Sequence, residues 1–372
     1  GPLGYKTFGL RQLTRPQRIR AAKEVTMANV NRTRSCISHQ TFLVFLLLHF
    51  LASAAAAQEL SKKLLVGYAG LISTHASVWL GEDQGFYRKH GVDVTSVFIS
   101  SGSVTSQALV SGEAKLASTS VGPTAGAVSG GADLAIVAAT IHILPYQLWV
   151  TPQIRQPADL KGKRVAVSTF GSGSHLAVEV ALQHLGLDPA RDKIAIIQVG
   201  TQPERVASLV TGKIDGTALE PGFGQAARDK GLTVMADLTK LEAPYLNTVI
   251  VASRRYIKEN PQQMEAFLKG TIDGLYFLPN PANEKVVKSV VAQRMKLSTP
   301  QSIQIMYDAT VDIHAKTKTP YATLAGVQNM IDALMRINPR LAKVKAAEII
   351  DNSFIERLDK SGYIAEAMKR GR

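Results

Sequence analysis

The chain repeats itself one hundred residues on. Leu109-Val110-Ser111-Gly112 returns as Leu209-Val210-Thr211-Gly212, Thr74-His75 as Ser174-His175, and Gly130-Gly131, ahead of LAIV, as Lys230-Gly231, ahead of LTVM, at an offset of 100 each time. Such a period constrains the fold more than composition does, because both copies must reach the same supersecondary structure. Each copy reads strand, polar turn, helix, strand, polar turn, helix, strand, which predicts two similar α/β lobes in succession.

In the first copy the spacing predicts strand Leu64–Tyr68, helix His75–His90 ended by Gly91, strand Val92–Ile99, helix Val104–Val110 and strand Leu134–Ala138. In the second it predicts strand Arg164–Val167, helix His175–Leu185 stopped by Gly186, strand Ile194–Val199 and a helix from Pro203, a residue suited to a first helical turn because its missing N–H would be unpaired there. Val178, Ala181, Leu182 and Leu185 fall on one helical face. Strands alternating with helices of this length imply a mostly parallel sheet with helices on its faces. Asn247–Ser253 reads as a further strand, and the helical stripes Met264, Phe267, Leu268, Ile272, Leu275 and Leu324, Val327, Ile331, Leu334 follow it. This helical tail is expected to pack back on the first lobe, with the chain crossing between lobes near His142–Thr151 and Tyr245–Ser253.

Ligands of parallel α/β sheets sit beyond the C-terminal ends of the strands. The first lobe would line such a cleft with Gly70–His75, Ser100–Thr105 and Thr119–Pro123, the second with Ser168–His175, Gly200–Gln202 and Leu219–Pro221. The candidate ligand contacts are Ser73, Thr74, His75, Ser101, Gly102, Ser103, Thr119 and Ser120 on one side. On the other they are Phe170, Gly171, Ser172, Gly173, Ser174, His175, Thr201, Gln202 and Glu220, with Tyr245 at a crossing. Small residues let a ligand approach the backbone, hydroxyls hydrogen-bond it, and N–H groups at a helix start attract negative charge. Singly, a Ser or Thr before a helix is an ordinary N-cap, and His75 or His175 an ordinary half-buried histidine; the pointer to function is that many such turns meet at one cleft. Phe98, Phe170 and Tyr245 could clamp an organic ligand or simply pack. No Arg or Lys lies inside these turns, so an anion would be held by dipoles and hydroxyls.

Phe42–Ala52 (FLVFLLLHFLA) is preceded by Arg32 and Arg34 and runs into Ala54–Ala57. A basic stretch, an apolar stretch and an A-x-A site in that order predict a secretion signal cleaved after Ala57, opening at Met27; the apolar run is too short for a retained anchor. Half of the net charge of +14 lies there, with eight Lys and Arg against one acid before Gln58. Elsewhere basic residues are scattered rather than clustered with aromatics, which argues against nucleic acid as a partner. Cys36, the single cysteine, precedes the cleavage point, so thiol nucleophiles, redox pairs and thiolate metal sites are excluded from the exported chain. Gly171-x-Gly173 is not a dinucleotide fingerprint, and GxxxxGK[ST], HExxH and GxSxG are absent. Glu220 in IDGTALEPG is a lone acid, and one carboxylate is no catalytic constellation. No catalysis, cofactor or metal is expected.

VGYAG, WLGEDQGFYRKHGVDV, LVSGEAKLASTSVG, ADLAIVAA, DLKGKRVAVSTFGSGSH, LVTGKIDGTALEPG and VIVASRRYIKENP follow one another along Leu64–Ile364. As an ordered series they resemble the periplasmic solute-binding proteins of the nitrate, sulfonate and taurine ABC importers, within the thiamine-pyrimidine synthase-like superfamily. The resemblance implies a type II periplasmic binding protein fold, two lobes hinged around a central cleft. It implies capture of one small solute, of the sulfonate, nitrate or carboxylate type or an uncharged or zwitterionic one, and its delivery to an inner-membrane permease; a monomer is the default expectation. Residues 58–148 and 247–372 would form the first lobe, 149–246 the second, and Ser73–His75, Ser101–Ser103, Thr119-Ser120, Gly171–His175, Thr201-Gln202 and Glu220 would be the family's ligand-contacting turns. The chain departs from the family at Lys115, where an acid is common, and at Gly222-Phe223, where the aromatic comes one residue later; these bear on the ligand rather than the fold. The other readings are a sensor module presenting its solute to a receptor and a pyrimidine synthase-like enzyme, although such enzymes carry a cysteine-rich iron motif that this chain lacks.

Overall fold

The computed structural model describes residues 63–225 and 228–371. The expected secretion signal, Cys36 and the cleavage point after Ala57 lie outside the described residues.

The hundred-residue offset extends to the start of every strand, within one residue. β1 (Leu64–Ala69), β2 (Val94–Ile99), β3 (Leu116–Ser120), β4 (Leu134–Ile141) and β5 (Gln147–Val150) are matched by β6 (Arg164–Val167), β7 (Ala195–Gln198), β8 (Gly216–Leu219), β9 (Thr233–Asp237) and β10 (Thr248–Ser253). Among the described residues these ten strands form two five-stranded sheets, ordered β2-β1-β3-β10-β4 and β7-β6-β8-β5-β9. Place by place the two orders are the same, with the fifth strand of each copy exchanged into the sheet of the other. Only the exchanged strands run antiparallel to their neighbours; β1 pairs in parallel with β2 and β3, and β6 with β7 and β8. The fold is therefore α/β, two lobes each with a mostly parallel sheet flanked by helices. β4 is buried along its whole length, as expected of a strand covered on both faces.

The single helix predicted over His75–His90 is two. Ser73–His75 is a turn of 3-10 helix, Ala76–Asp83 a helix, and Phe86–Lys89 a second short one. Gly85 separates them at φ 71, a left-handed conformation that ends a helix cheaply only at glycine. The break turns Tyr87 inward, where its ring stacks on Phe267 at 5.0 Å. Strands β3 and β8 were not foreseen as strands: LASTS and GTAL are short and rich in small residues, with little of the β-branched bulk that marks a strand.

The helical tail covers more than the first lobe. Pro261–Phe277 packs on Ala76–Asp83 as expected, but Pro300–Ala315 packs on Pro221–Gln225 of the second lobe. Leu324–Met335 lies against Val121–Ser129 of one lobe and Gly173–His184 of the other. Val327, Met330, Ile331 and Leu334 enter a core that also holds Leu134 and Ile136 of β4 and Val165 and Val167 of β6; each such buried side chain contributes about 1.5–3 kcal/mol. Among the described residues no helix is long and apolar enough to cross a membrane.

Candidate functional site

β1, β3, β6 and β8 end on a common cleft between the lobes. It is lined from the first lobe by Gly70–Ile72, His75, Ser100–Gly102, Thr119 and Ser120. The second lobe adds Ser168, Ser172–Ser174, Thr201, Gln202 and Arg205, and the two crossings add Tyr146, Asn247 and Thr248. The lobes are drawn together around it, leaving a cavity of about 50 Å³.

Ser73 and Glu220 join the two sides. Glu220 follows β8 and is fully buried; its Oε2 accepts hydrogen bonds from Ser73 N–H and Ser73 Oγ, each at 3.0 Å. Its own N–H donates to Gln202 Oε1 at 2.7 Å. Burial pushes the Glu220 carboxyl up to about 7, against the pull of the Ser73 donors. His75 is a buried member of the first lobe: its Nε2 lies 3.0 Å from Ala69 O and its Nδ1 2.7 Å from Ser118 Oγ. A carbonyl can only accept, so Nε2 carries the proton and Nδ1 accepts from Ser118. Burial holds this ring neutral, down at about 4.

On the second lobe the serine turn closes on itself. Ser168 Oγ, Ser172 Oγ and Ser174 Oγ lie within 2.9–3.0 Å of one another, and Ser172 caps the helix Gly173–His184 by accepting from His175 N–H. Thr201 is likewise committed, its N–H and Oγ both donating to Glu204 Oε2 in a capping box at the start of the helix Gln202–Val210. These hydroxyls shape the cleft more than they offer free donors.

The free polar groups come from elsewhere. Arg205 is 2% exposed and has no carboxylate within salt-bridge distance among the described residues. One of its terminal nitrogens donates to Thr217 Oγ1 at 3.1 Å and Ala218 O at 2.6 Å, while its Nε has no partner. Burial lowers its pKa to about 10, with Tyr146 and Glu220 opposing the shift, so it stays cationic at neutral pH. Gln202 Nε2, Thr119 Oγ1 and Asn247 Oδ1 are also buried without partners and belong to residues lining the same cleft. Buried polar groups are normally paired, so several unpaired ones around one cavity mark it as built to hydrogen-bond something.

Arg205 corrects the expectation that only dipoles and hydroxyls could meet an anion. Helical side chains lean toward the N-terminus of their helix, which carries an arginine one turn beyond Gln202 back toward the turn. Arg205 was therefore legible as a residue one turn inside a helix aimed at the cleft; Tyr146 and Asn247, which sit in the crossings, gave no such cue.

Ser103, Phe170, Gly171 and His175 are brought together, but around a separate cavity beside the first lobe. Thr74 is buried behind Ser73 with its Oγ1 unpaired. Tyr245 packs against the large core and is not among the residues lining the cleft. Among the described residues no group of three or more His, Cys, Asp or Glu is placed to hold a metal ion.

Residues 72–284 match the family described as NMT1/THI5 like. No curated protein sequence matches the chain. Among solved structures, a protein of Bordetella bronchiseptica is similar at 21% identity with a TM-score of 0.70, over 81% of this chain and 98% of that one. The alkanesulfonate-binding protein of Xanthomonas axonopodis pv. citri, bound to MOPS, is similar at 23% identity with a TM-score of 0.62, over 78% and 98%. The periplasmic nitrate-binding protein of Synechocystis is similar at 12% identity with a TM-score of 0.63, over 82% and 91%. These likenesses speak for the fold, whereas the matched segment spans more than half of the sequence from Ile72 to Glu284, and on that ground the chain belongs to the NMT1/THI5-like family.

Proposed function

We propose that this protein is the solute-binding component of an ABC importer, catching one small anion between its lobes and closing about the two crossings. Arg205 carries the reading: a buried arginine without a carboxylate partner, at the mouth of strands from both lobes, is a counter-charge waiting for a ligand. An unpaired buried charge is expensive, and an anion in the cleft would relieve it while Gln202 Nε2 and Thr119 Oγ1 supply neutral hydrogen bonds. Of the sulfonate, nitrate and carboxylate classes, the cavity of about 50 Å³ favours the smallest members. Sulfonate and nitrate binding by two proteins of similar fold is consistent with this class.

Residues 58–148 and 247–372 are assigned to one lobe and 149–246 to the other, with ligand contacts drawn from His75, Ser101, Gly102, Thr119, Ser120, Ser172 to Ser174, Thr201, Gln202 and Arg205, and the bond between Ser73 and Glu220 bracing the lobes beside them. The protein acts in the periplasm as a monomer after cleavage at Ala57 and hands its solute to a membrane permease. Catalysis is not assigned, because no Asp or Glu is among the residues lining the cleft and one carboxyl beside it is no catalytic constellation.

A thermal-shift series with nitrate, short carboxylates, small sulfonates and uncharged pyrimidines tests this, since a ligand that binds only the native state raises its melting temperature by mass action. One anion class should give a saturable rise. A rise from an uncharged pyrimidine alone would refute the anion reading. No rise from any compound, with co-purified ligand ruled out by mass spectrometry, would refute solute capture.

A further inference from the structure

A second cavity, of about 850 Å³, lies beside the central cleft. Its walls come from the helices Gly102–Ser111 and Val121–Ser129, the segment Leu334–Leu341, and the loop Phe170–Gly171 of the second lobe. Its size is that of an ordinary small-molecule pocket. No Asp, Glu, Lys or Arg lines it, and its one histidine, His175, is held neutral by burial at about 4. The His175 Nδ1 accepts from Gly171 N–H at 2.9 Å and the ring meets Phe170 edge-on.

Two observations point to an occupant. Val110 and Phe170, both on its wall, are 59% and 52% exposed, among the most exposed large apolar side chains of the described residues. Ser106 lines the same cavity, is 4% exposed, and its Oγ has no hydrogen-bond partner. A wall without formal charge, mostly apolar, with the Gln107 and Asn338 amides at its sides and one buried, unpartnered hydroxyl, is matched by an uncharged, largely apolar molecule with at least one hydrogen-bonding group.

We propose that this cavity is a second ligand site, separate from the anion cleft, for an uncharged, largely aromatic or alicyclic small molecule that hydrogen-bonds Ser106. The site does not depend on the reading of the central cleft. Because Phe170 and Gly171 come from one lobe and the remaining walls mostly from the other, joined where Ser103 Oγ donates to Phe170 O at 3.3 Å, its occupant favours the closed arrangement.

The full chain titrated with N-phenyl-1-naphthylamine, an uncharged apolar fluorophore with one N–H, should give a single saturable rise in fluorescence. Gly126→Phe fills the cavity from a helical position where an added Cβ meets no atom within 4 Å, and should weaken binding roughly tenfold or more. Gly126→Ala, which leaves the space open, should bind like the parent, and so should Arg205→Thr. A rise that never saturates overturns the proposal. So does undiminished binding in a folded Gly126→Phe, or loss of the probe in a folded Arg205→Thr, which would place it in the central cleft. Should Gly126→Phe fail to fold, Val110→Arg at the exposed rim makes the same test with the same expected loss.

Discussion

At matching positions the two lobes share a backbone and differ in chemistry. Ser101 and Thr201 both cap the helix that follows the second strand, and β3 and β8 occupy the same place in their sheets. One hundred residues apart, however, Thr105 stands opposite Arg205, Gly102 opposite Gln202, and Ser120 opposite Glu220. The Thr105 Oγ turns inward and donates to Ser101 O at 2.8 Å, leaving nothing for a ligand, whereas Arg205 and Gln202 keep unpaired nitrogens. Strand and helix positions need only the right shape and are echoed; the charge at the cleft enters where the echo fails. The first lobe supplies a small-residue wall and the second the electrostatics.

Making the second lobe like the first at Arg205 should have the largest effect. Arg205→Thr removes the one buried cation lining the cleft, and hydrogen bonds to charged groups contribute about 1.5–3 kcal/mol each. Anion affinity by isothermal titration should fall roughly a hundredfold. The variant should also melt lower, because Thr217 Oγ1 and Ala218 O lose their donor. An unchanged affinity in a folded variant would break the contrast between the lobes.

A smaller loss is expected at Gly173, opposite Ser73. A Cβ at Gly173 would sit 3.2 Å from Tyr146 Oη, 3.3 Å from Asn247 Oδ1 and 3.4 Å from Ser120 Oγ, so Gly173→Val wedges the lobes where they meet. Overpacking of this kind costs about 1–3 kcal/mol, charged here against the closed state, and apparent affinity should fall roughly tenfold. Small-angle scattering should show that ligand no longer contracts the variant; normal contraction would mean that the lobes tolerate the wedge.

The architecture was legible because an internal period survives any change of side chain that keeps strand and helix, and the serine-rich turns announced the strand ends. What could not be read was direction and commitment. Ser172 and Thr201 are spent on caps, and His75 is satisfied between Ser118 and Ala69. Those bonds depend on which hydroxyl faces its own backbone, a tertiary matter. Asn247 and Tyr146 lie in crossings whose path is set by the exchange of β5 and β10, and no local periodicity encodes an exchange. The same limit hid the tail helices that touch both lobes, since a stripe such as Val327, Met330 and Ile331 says that a face is buried but not against what.

The smallest expected effect separates Glu220 from its counterpart Ser120 by pH. With its carboxyl raised from 4.5 to about 7 by burial, native protein keeps a proton on Glu220 that the unfolded chain has released between those values. Stability from this group therefore falls as pH rises through that window and is lowest above 7. The buried histidines His75, His142, His175 and His314 act in the opposite sense: each is lowered from 6.5 to about 4 by burial, so their neutral forms favour the native state above 6.5 and that advantage is lost as pH falls toward 4. Near Glu220, Arg205 stays protonated throughout at about 10 and burial pushes Tyr146 up, so neither adds a slope in this range. The four histidines outweigh the one carboxyl, so melting temperature should fall steadily as pH drops from 8 to 5, with Glu220 offsetting about 2 °C of that fall between pH 8 and 6.5. In Glu220→Gln, whose amide oxygen can still accept from Ser73 N–H and Oγ, that offset should vanish and the fall steepen; Ser120→Ala should follow the parent. If Glu220→Gln falls no more steeply than the parent, the titrating group lies elsewhere, and the contact between Ser73 and Glu220 joins the lobes without a proton.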